Sequence, residues 1–426
     1  MSAADRARAR LVDGLRGGVL REAAEQGGHP THRRIEDAFR AVPRHLFLPG
    51  VPLARAYADE AVPVQSVDGV TTSSASQPSM MAIMLDQLDL RPGHRVLEIG
   101  AGTGYNAALM ARLVGPAGRV VAVDIDPELV DGAARHLAEA GVEGVALQCG
   151  DGALGHAPEA PYDRIVLTVG SGDVRPEWVA QLAPGGRLLL PLAVRGTQLS
   201  VALDLGPDGL LRSHSVHRCG FVRLRGVAAV SEQGAVVDGV AVVPAGDGAV
   251  PVAALRTALA SPGALRPCPV PLGPADRADG FGLWLALTEP GTLRLLAARS
   301  CPDEPAPGTV ADLLGVAPGR GTVALLREEP AGPGFAAVLI DPPAGTERRG
   351  PRPVHVRAFG PTGDAVADRV VAAASGWAAA GRPTAADLHL TVVPAGVAAP
   401  DTAADAAVAT VEKASCRVLV GVGAPA

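Results

Sequence analysis

Apolar residues recur at helical spacing near the start of the chain. Leu11, Leu15 and Val19 share one face, and Ile35, Ala38, Phe39 and Val42 repeat the pattern, so residues 1–45 are expected to be helical. Pro43 and Pro49 then break the chain into loops. Residues 66–79 are dense in Ser, Thr and Gly and predict an irregular segment or turn. Ser79 stands as the N-cap of a helix carrying Met80, Ile83, Met84 and Leu88. From residue 95 short apolar runs alternate with amphipathic stretches. Strands are expected at Arg95–Ile99, Val120–Asp124, Val145–Gln148, Arg164–Thr168 and Arg187–Leu190, and helices at Tyr105–Leu113 and Pro127–Ala140. That alternation predicts an α/β fold, a doubly wound parallel sheet behind an N-terminal helical segment. Leu199–Leu205 and Val216–Leu224 suggest further strands.

Beyond residue 226 the texture changes, with clusters such as Pro262-Gly263, Pro307-Gly308 and Gly332-Pro333-Gly334. Regular stretches persist at Gly282–Thr288, Thr322–Arg327, Ala336–Ile340 and Asp368–Ala380. The segment is too apolar for a disordered tail. It reads as an α+β C-terminal accessory domain over 226–426, after a first domain over 1–225.

Composition narrows the classes. A length of 426 residues suits two domains, and aromatics at 3% leave the cores to Val, Leu and Ala. The net charge of −6 argues against a general nucleic-acid binder. Cys149, Cys219, Cys268, Cys301 and Cys416 form no CxxC pair, so neither a zinc site nor a disulfide framework is indicated. Residues 1–10 are polar and basic with no apolar run behind them, so no signal peptide is visible. Nothing approaches the roughly 20 apolar residues of a membrane span. A cytoplasmic location without membrane contact is expected; the oligomeric state is left open.

The chemistry centres on Val96-Leu97-Glu98-Ile99-Gly100-Ala101-Gly102-Thr103-Gly104-Tyr105. A buried strand runs into a glycine-rich turn and then a helix, whose first N–H groups and dipole favour a carboxylate. Dinucleotide sites prefer GxGxxG. The spacing here is ExGxGxG, which resembles the first motif of class I (Rossmann-like) S-adenosylmethionine methyltransferases. The next strand ends in Asp124-Ile125, where a carboxylate can hold two ribose hydroxyls. The third is followed by Gly150-Asp151-Gly152, placed for the adenine amino group. The expected cofactor set is Glu98, Gly100, Gly102, Thr103, Gly104, Asp124, Ile125, Asp151 and Gly152, with S-adenosyl-L-methionine as cofactor.

Residues from about 30 to 225 resemble the protein-L-isoaspartate O-methyltransferases. The matching segments are Ala41-Val42-Pro43-Arg44-His45-Leu46-Phe47-Leu48-Pro49, Ala56-Tyr57-Ala58-Asp59, Ser76-Gln77-Pro78, the helix after Ser79, and Gln181-Leu182-Ala183-Pro184-Gly185-Gly186-Arg187-Leu188 with Pro191-Leu192. The resemblance implies methylation of an isoaspartyl carboxylate, with Ser76 as the catalytic, substrate-contacting serine. Gln77, Pro78, Val169 and Arg223 join it on the substrate side. The chain departs from the family around that pocket, at residues 67–76, at Val169-Gly170-Ser171-Gly172 and at Phe221-Val222-Arg223-Leu224. Phe281–Leu287 and Trp377 with Gly381-Arg382-Pro383 resemble C-terminal regions of actinobacterial members associated with lanthipeptides and graspetides, which act on ribosomally made precursors. Those relatives methylate an aspartate whose ester can close to a succinimide. Trp284 and Trp377 themselves read as core residues.

An acceptor carboxylate is already an anion at neutral pH, so transfer needs no general base. That agrees with the lack of a His/Asp or Ser/His pair in the sequence. His45 reads as structural, His94 as solvated, and His214 with His217 lacks a third ligand, so no metal is expected. The partner implied is a peptide or protein bearing Asp or isoAsp. Three functions follow: a dedicated peptide-modifying methyltransferase, a general isoaspartyl repair enzyme, and a cofactor-binding module without catalysis.

Overall fold

The amphipathic start of the chain forms two helices, Ala3–Gly17 and Thr31–Ala41. Ser2 caps the first by accepting from the Asp5 amide. Leu11, Leu15, Ile35, Ala38, Phe39 and Val42 all face the core. The computed structural model describes residues 2–18, 20, 31–229, 234–246, 248–273, 275–297, 309–314, 320–340, 350–398 and 407–423. Val19, Cys301 and Pro307-Gly308 lie outside them.

The stretch expected to be irregular is instead a hairpin, β1 (Val62–Val67) against β2 (Val70–Ala75). Its turn, Asp68-Gly69, has positive φ at both residues, the type I′ pattern whose twist suits a two-residue loop. β-branched Thr and Val carry the strands, so a high count of Ser and Thr misleads there. The following helix runs Pro78–Leu88, with Gln77 rather than Ser79 at the N-cap position. The Ser79 amide is satisfied from elsewhere: it donates to Asp59 Oδ1 at 2.8 Å.

The regular pattern then unfolds as expected. β3 (Arg95–Ile99), β4 (Arg119–Asp124), β5 (Val145–Cys149), β6 (Tyr162–Leu167) and β7 (Leu182–Val194) pair in parallel, in the order β7-β6-β3-β4-β5. Helices Tyr105–Val114 and Pro127–Glu139 connect β3 to β4 and β4 to β5. β7 is longer than expected because its second half turns into an antiparallel pair with β8 (Thr197–Leu205). β9 (Leu211–Arg218) lies earlier than the expected Val216–Leu224. Residues beyond it leave the ladder, and Arg223 forms an isolated bridge with Gly170.

The second half builds an antiparallel sheet from β10 (Ala235–Val237), β11 (Val240–Pro244), β12 (Pro262–Leu272), β13 (Thr292–Ala297), β14 (Gly321–Glu329), β15 (Gly332–Ile340) and β16 (Arg352–Phe359). Phe281–Thr288 and Gly363–Ala379 are helices packed on it. Trp377 is buried against Phe281 and donates to the Pro383 carbonyl, a core residue as expected; Trp284 is half-buried. The chain then returns. β17 (Leu388–Pro394), β18 (Ala409–Glu412) and β19 (Cys416–Val422) join the first sheet beyond β9, completing the order β18-β19-β17-β9-β8-β7-β6-β3-β4-β5. Residues 226–426 therefore supply a second sheet and also cover an edge of the first, which would otherwise present unpaired backbone. One buried cluster joins Leu97, Ile99 and Leu188 to Leu283, Leu388, Leu390 and Val418. No helix among the described residues is long and apolar enough to cross a membrane.

Candidate functional site

In open α/β sheets ligands bind beyond the carboxyl ends of the strands, where the winding direction reverses. That point lies between β3 and β6, and a pocket opens there. It is lined by Glu98 to Thr103, by Val123 to Ile125 after β4, by Gly152, by Thr168 and Val169 after β6, and by Thr72 to Ser76 of the hairpin.

The glycine turn owes its shape to close approach. At Gly100, φ is 99° and a Cβ would stand 2.8 Å from Val169 Cγ1, so only glycine lets the ends of β3 and β6 meet. Gly104 is the N-cap of helix Tyr105–Val114 at φ 83°, with Ala133 packed against it. The Gly102 amide donates to Asp124 Oδ2 at 2.9 Å, tying the turn to the end of β4.

Glu98 is fully buried. One oxygen accepts from Asn106 Nδ2 at 2.8 Å, and the other has no partner. Burial pushes its carboxyl up to about 8; the Asn106 bond opposes this and nearby Asp124 adds to it. An orphaned buried acceptor near the end of β3 suits the ammonium group of an amino-acid-like ligand. Asp124, 7% exposed, also accepts from the Asp126 amide and lies 3.5 Å from Arg225 Nη2. Arg225 stands 3.6 Å from Asp126 as well. Asp126 is anchored by Gln65 of the hairpin at 2.7 Å, a bond that holds its carboxyl below the usual range. These residues, the unpartnered acceptor oxygen of Glu98 above all, fit S-adenosyl-L-methionine.

Thr103, Ile125 and Gly152 line the pocket, while Gly104 does not and stands at the helix start. Asp151 behaves differently. It accepts from the Ala153 amide at 2.9 Å and from the Val227 amide at 2.8 Å, and holds residues 225–227 over the pocket. Of the residues expected on the substrate side, Ser76, Val169 and Arg223 line the cavity. Gln77 and Pro78 do not: the chain turns outward there, Gln77 reaching Asp59 and Pro78 opening the next helix.

Several residues of the site carry no motif signal. Arg44 is buried among Ala56, Ser76 and Met81, with its guanidinium 5.0 Å from the Tyr105 ring. An arginine inside the apolar run from Val42 to Phe47 was the available hint. Asn106, Gln65 and Arg225 were recognisable only in space. His45 pairs with the Tyr57 hydroxyl at 2.8 Å. His94 is half-buried rather than solvated, and burial pulls its pKa down. His214, at an irregularity in the β8–β9 ladder, is exposed, and His217 is half-buried. No cluster of three metal-ligating side chains occurs among the described residues.

Residues 19–229 match the family model described as protein-L-isoaspartate(D-aspartate) O-methyltransferase. The protein-L-isoaspartate O-methyltransferase of Methanopyrus kandleri is 42% identical over 222 residues, covering 52% of this chain and 92% of that protein. That of Aeropyrum pernix is 38% identical over 221 residues, covering 52% of this chain and 80% of its own. Among solved structures, a protein-L-isoaspartate O-methyltransferase at 23% identity covers 90% of this chain and 96% of that one, with a TM-score of 0.47. One from Plasmodium falciparum in complex with S-adenosyl-L-homocysteine, 20% identical, covers 51% of this chain and 97% of that one, with a TM-score of 0.41.

Proposed function

Since the chain belongs to the protein-L-isoaspartate(D-aspartate) O-methyltransferase family, we propose that this S-adenosylmethionine-dependent carboxyl O-methyltransferase acts on an aspartyl-type carboxylate of a dedicated polypeptide substrate. The observation that carries the reading is the pocket itself. Glu98 offers a buried carboxylate oxygen without a partner among the described residues, and Ser76, Val169 and Arg223 line the same pocket.

The cofactor supplies a methyl group on a positively charged sulfur. Glu98 and the start of helix Tyr105–Val114 would hold its amino-acid end, and Asp124 its ribose hydroxyls. Asp151, through Val227, would keep residues 225–227 closed over the adenosine end. Ser76 and Arg223 orient the acceptor carboxylate. Held there, the cofactor would offer its methyl group to an acceptor oxygen, its sulfur keeping the electron pair. No proton moves, which agrees with His45 and His94 being engaged structurally. Orientation and partial removal of water from the carboxylate carry the rate.

In the dedicated-substrate reading the acceptor is an aspartate of a ribosomally made precursor. The following backbone nitrogen then attacks the new ester carbonyl, loses its proton, and methanol leaves, closing a succinimide. The departures at residues 169–172 and 221–224 and the long second half support it. General isoaspartyl repair is the second reading, favoured by relatives 38–42% identical across the first half. Methyl transfer to matched aspartyl and isoaspartyl peptides decides. Transfer to isoaspartyl peptides alone, whatever their sequence, establishes repair. Cofactor binding with no transfer to either, or to candidate precursors, leaves a non-catalytic module.

A further inference from the structure

Past the end of β9 the chain runs along the pocket as a strap, residues 221–227. Val222, Arg223, Leu224 and Arg225 line the pocket, and Phe221 lines a small recess that Ser76 also borders. We propose that Gln198 of β8 is a positioning residue for methyl transfer, its side-chain carboxamide fixing the strap at Phe221, an inference that rests on the function proposed above.

The Phe221 amide donates to Gln198 Oε1 at 2.6 Å, and Gln198 Nε2 donates to the Phe221 carbonyl at 3.2 Å. A carboxamide carries both a donor and an acceptor, so it reproduces the pair of bonds that facing residues of two antiparallel strands exchange. The side chain thus extends the ladder to Phe221, three residues after β9 has ended at Arg218. Gln198 itself stands on fixed backbone. It pairs with Ala193 in the β7–β8 ladder, and its carbonyl accepts from the Cys219 amide at 3.0 Å.

From Phe221 the strap reaches both parts of the pocket. Gly170 donates to the Val222 carbonyl at 2.7 Å and accepts from the Leu224 amide at 2.9 Å. It directly follows Val169, which lines the pocket. Leu224 is buried in the same cluster as Leu97 and Ile99 of β3. Arg225 then stands beside Asp124 and Asp126, and Val227 donates to Asp151. A shift at Phe221 would therefore move residues close to Ser76 and residues close to the carboxylates assigned to the cofactor.

Gly170 completes the device. A Cβ there would stand 2.3 Å from Gln198 Nε2, and its three nearest atoms would all belong to the Gln198 carboxamide. The φ of Gly170 is not positive, so alanine can adopt this backbone. An added methyl would act by evicting the carboxamide from Phe221. The missing side chain at 170 and the carboxamide at 198 work as one unit.

The test compares full-length Gln198→Ala, Gly170→Ala and the double variant. S-adenosylmethionine affinity is read by calorimetry, kcat and KM on a methyl-accepting peptide, and exchange of the Phe221 amide hydrogen by NMR. Gln198→Ala should raise the cofactor Kd at least threefold, lower kcat/KM at least tenfold and speed the exchange at least tenfold. Gly170→Ala, which keeps every atom of Gln198, should reproduce all three changes. The double variant should be no worse than Gln198→Ala, because the methyl then has nothing to evict. A lowered melting temperature with Kd and KM within twofold of the parent would make Gln198 merely structural and overturns the proposal. So does a double variant whose losses multiply. If the parent protein methylates no peptide, the carboxylate reading falls by itself, while cofactor affinity and amide exchange still decide the role of Gln198.

Discussion

Arg44 Nη2 donates to the backbone carbonyl of Ser76 at 3.0 Å, while its Nε donates to the Ala56 carbonyl at 2.9 Å. The guanidinium is fully buried, and no carboxylate lies within ion-pairing distance among the described residues. A charged group in that position holds two carbonyls and one aromatic face, which fixes where β2 ends and Ser76 begins. On the function proposed above, Arg44 would act as a positioning residue for Ser76. Arg44→Met keeps much of the bulk but leaves buried carbonyls unpaired, at about 1–3 kcal/mol each. The expected result is a lower urea midpoint and a reduced kcat, with S-adenosylmethionine affinity nearly unchanged; Arg44→Lys should recover part of the midpoint and less of kcat. An unchanged kcat in the folded Met variant would remove the positioning role.

Glu98 should make cofactor binding pH-dependent. Its carboxyl, pushed up to about 8, must be ionised to receive a cationic ammonium group. Affinity measured by calorimetry should therefore rise between pH 6 and pH 8, by at most about tenfold per unit, with proton release. Glu98→Gln should flatten the profile. Without cofactor the sign reverses for stability. The folded state keeps the Glu98 proton over a range where the unfolded chain has lost it, so stability falls as pH rises from about 4.5 to about 8. Glu98→Gln should lessen that fall in thermal melts.

Asp124→Ala removes the acceptor proposed for the ribose hydroxyls and also frees the Gly102 amide, to which Asp124 Oδ2 is bonded at 2.9 Å. Hydrogen bonds to a charged group contribute roughly 1.5–3 kcal/mol. Cofactor affinity should drop by about that amount. A folded variant with unchanged affinity would move the ribose elsewhere.

Ser76→Ala should lower turnover far more than cofactor affinity. Ser76 lines the pocket, and its hydroxyl makes no hydrogen bond among the described residues, so it is available to an acceptor. Lost cofactor affinity with normal turnover at saturation would place Ser76 on the other substrate.

Ending the chain at Gly226 should damage the first sheet. β9 loses its partner β17, including the Leu390 amide that donates to Ser213 Oγ at 2.8 Å. Asp151 loses the Val227 amide. Reduced solubility and a lowered melting temperature are expected, together with weakened cofactor binding. A soluble, fully stable fragment that binds S-adenosylmethionine normally would show that β17–β19 are dispensable to the site.

Local pattern alone determined the parallel half of this protein. β3 and the start of helix Tyr105–Val114 fall where alternation and the glycine turn place them, because a buried strand and its helix each carry their own periodicity. The residues proposed to hold the cofactor came together for the same reason, since Glu98, Gly100, Gly102 and Asp124 lie at or just beyond strand ends that such a sheet must bring to one edge. The hairpin over residues 62–75 escaped because its ladder is made by backbone, and its Ser and Thr side chains look like those of a loop. Only the tertiary structure decided the rest. Arg44 reaches Ser76 across 32 positions, and β17–β19 return across more than 160 to cover β9. No local period records contacts of that range, because they arise from which edges and charges remain unsatisfied once the first sheet has formed.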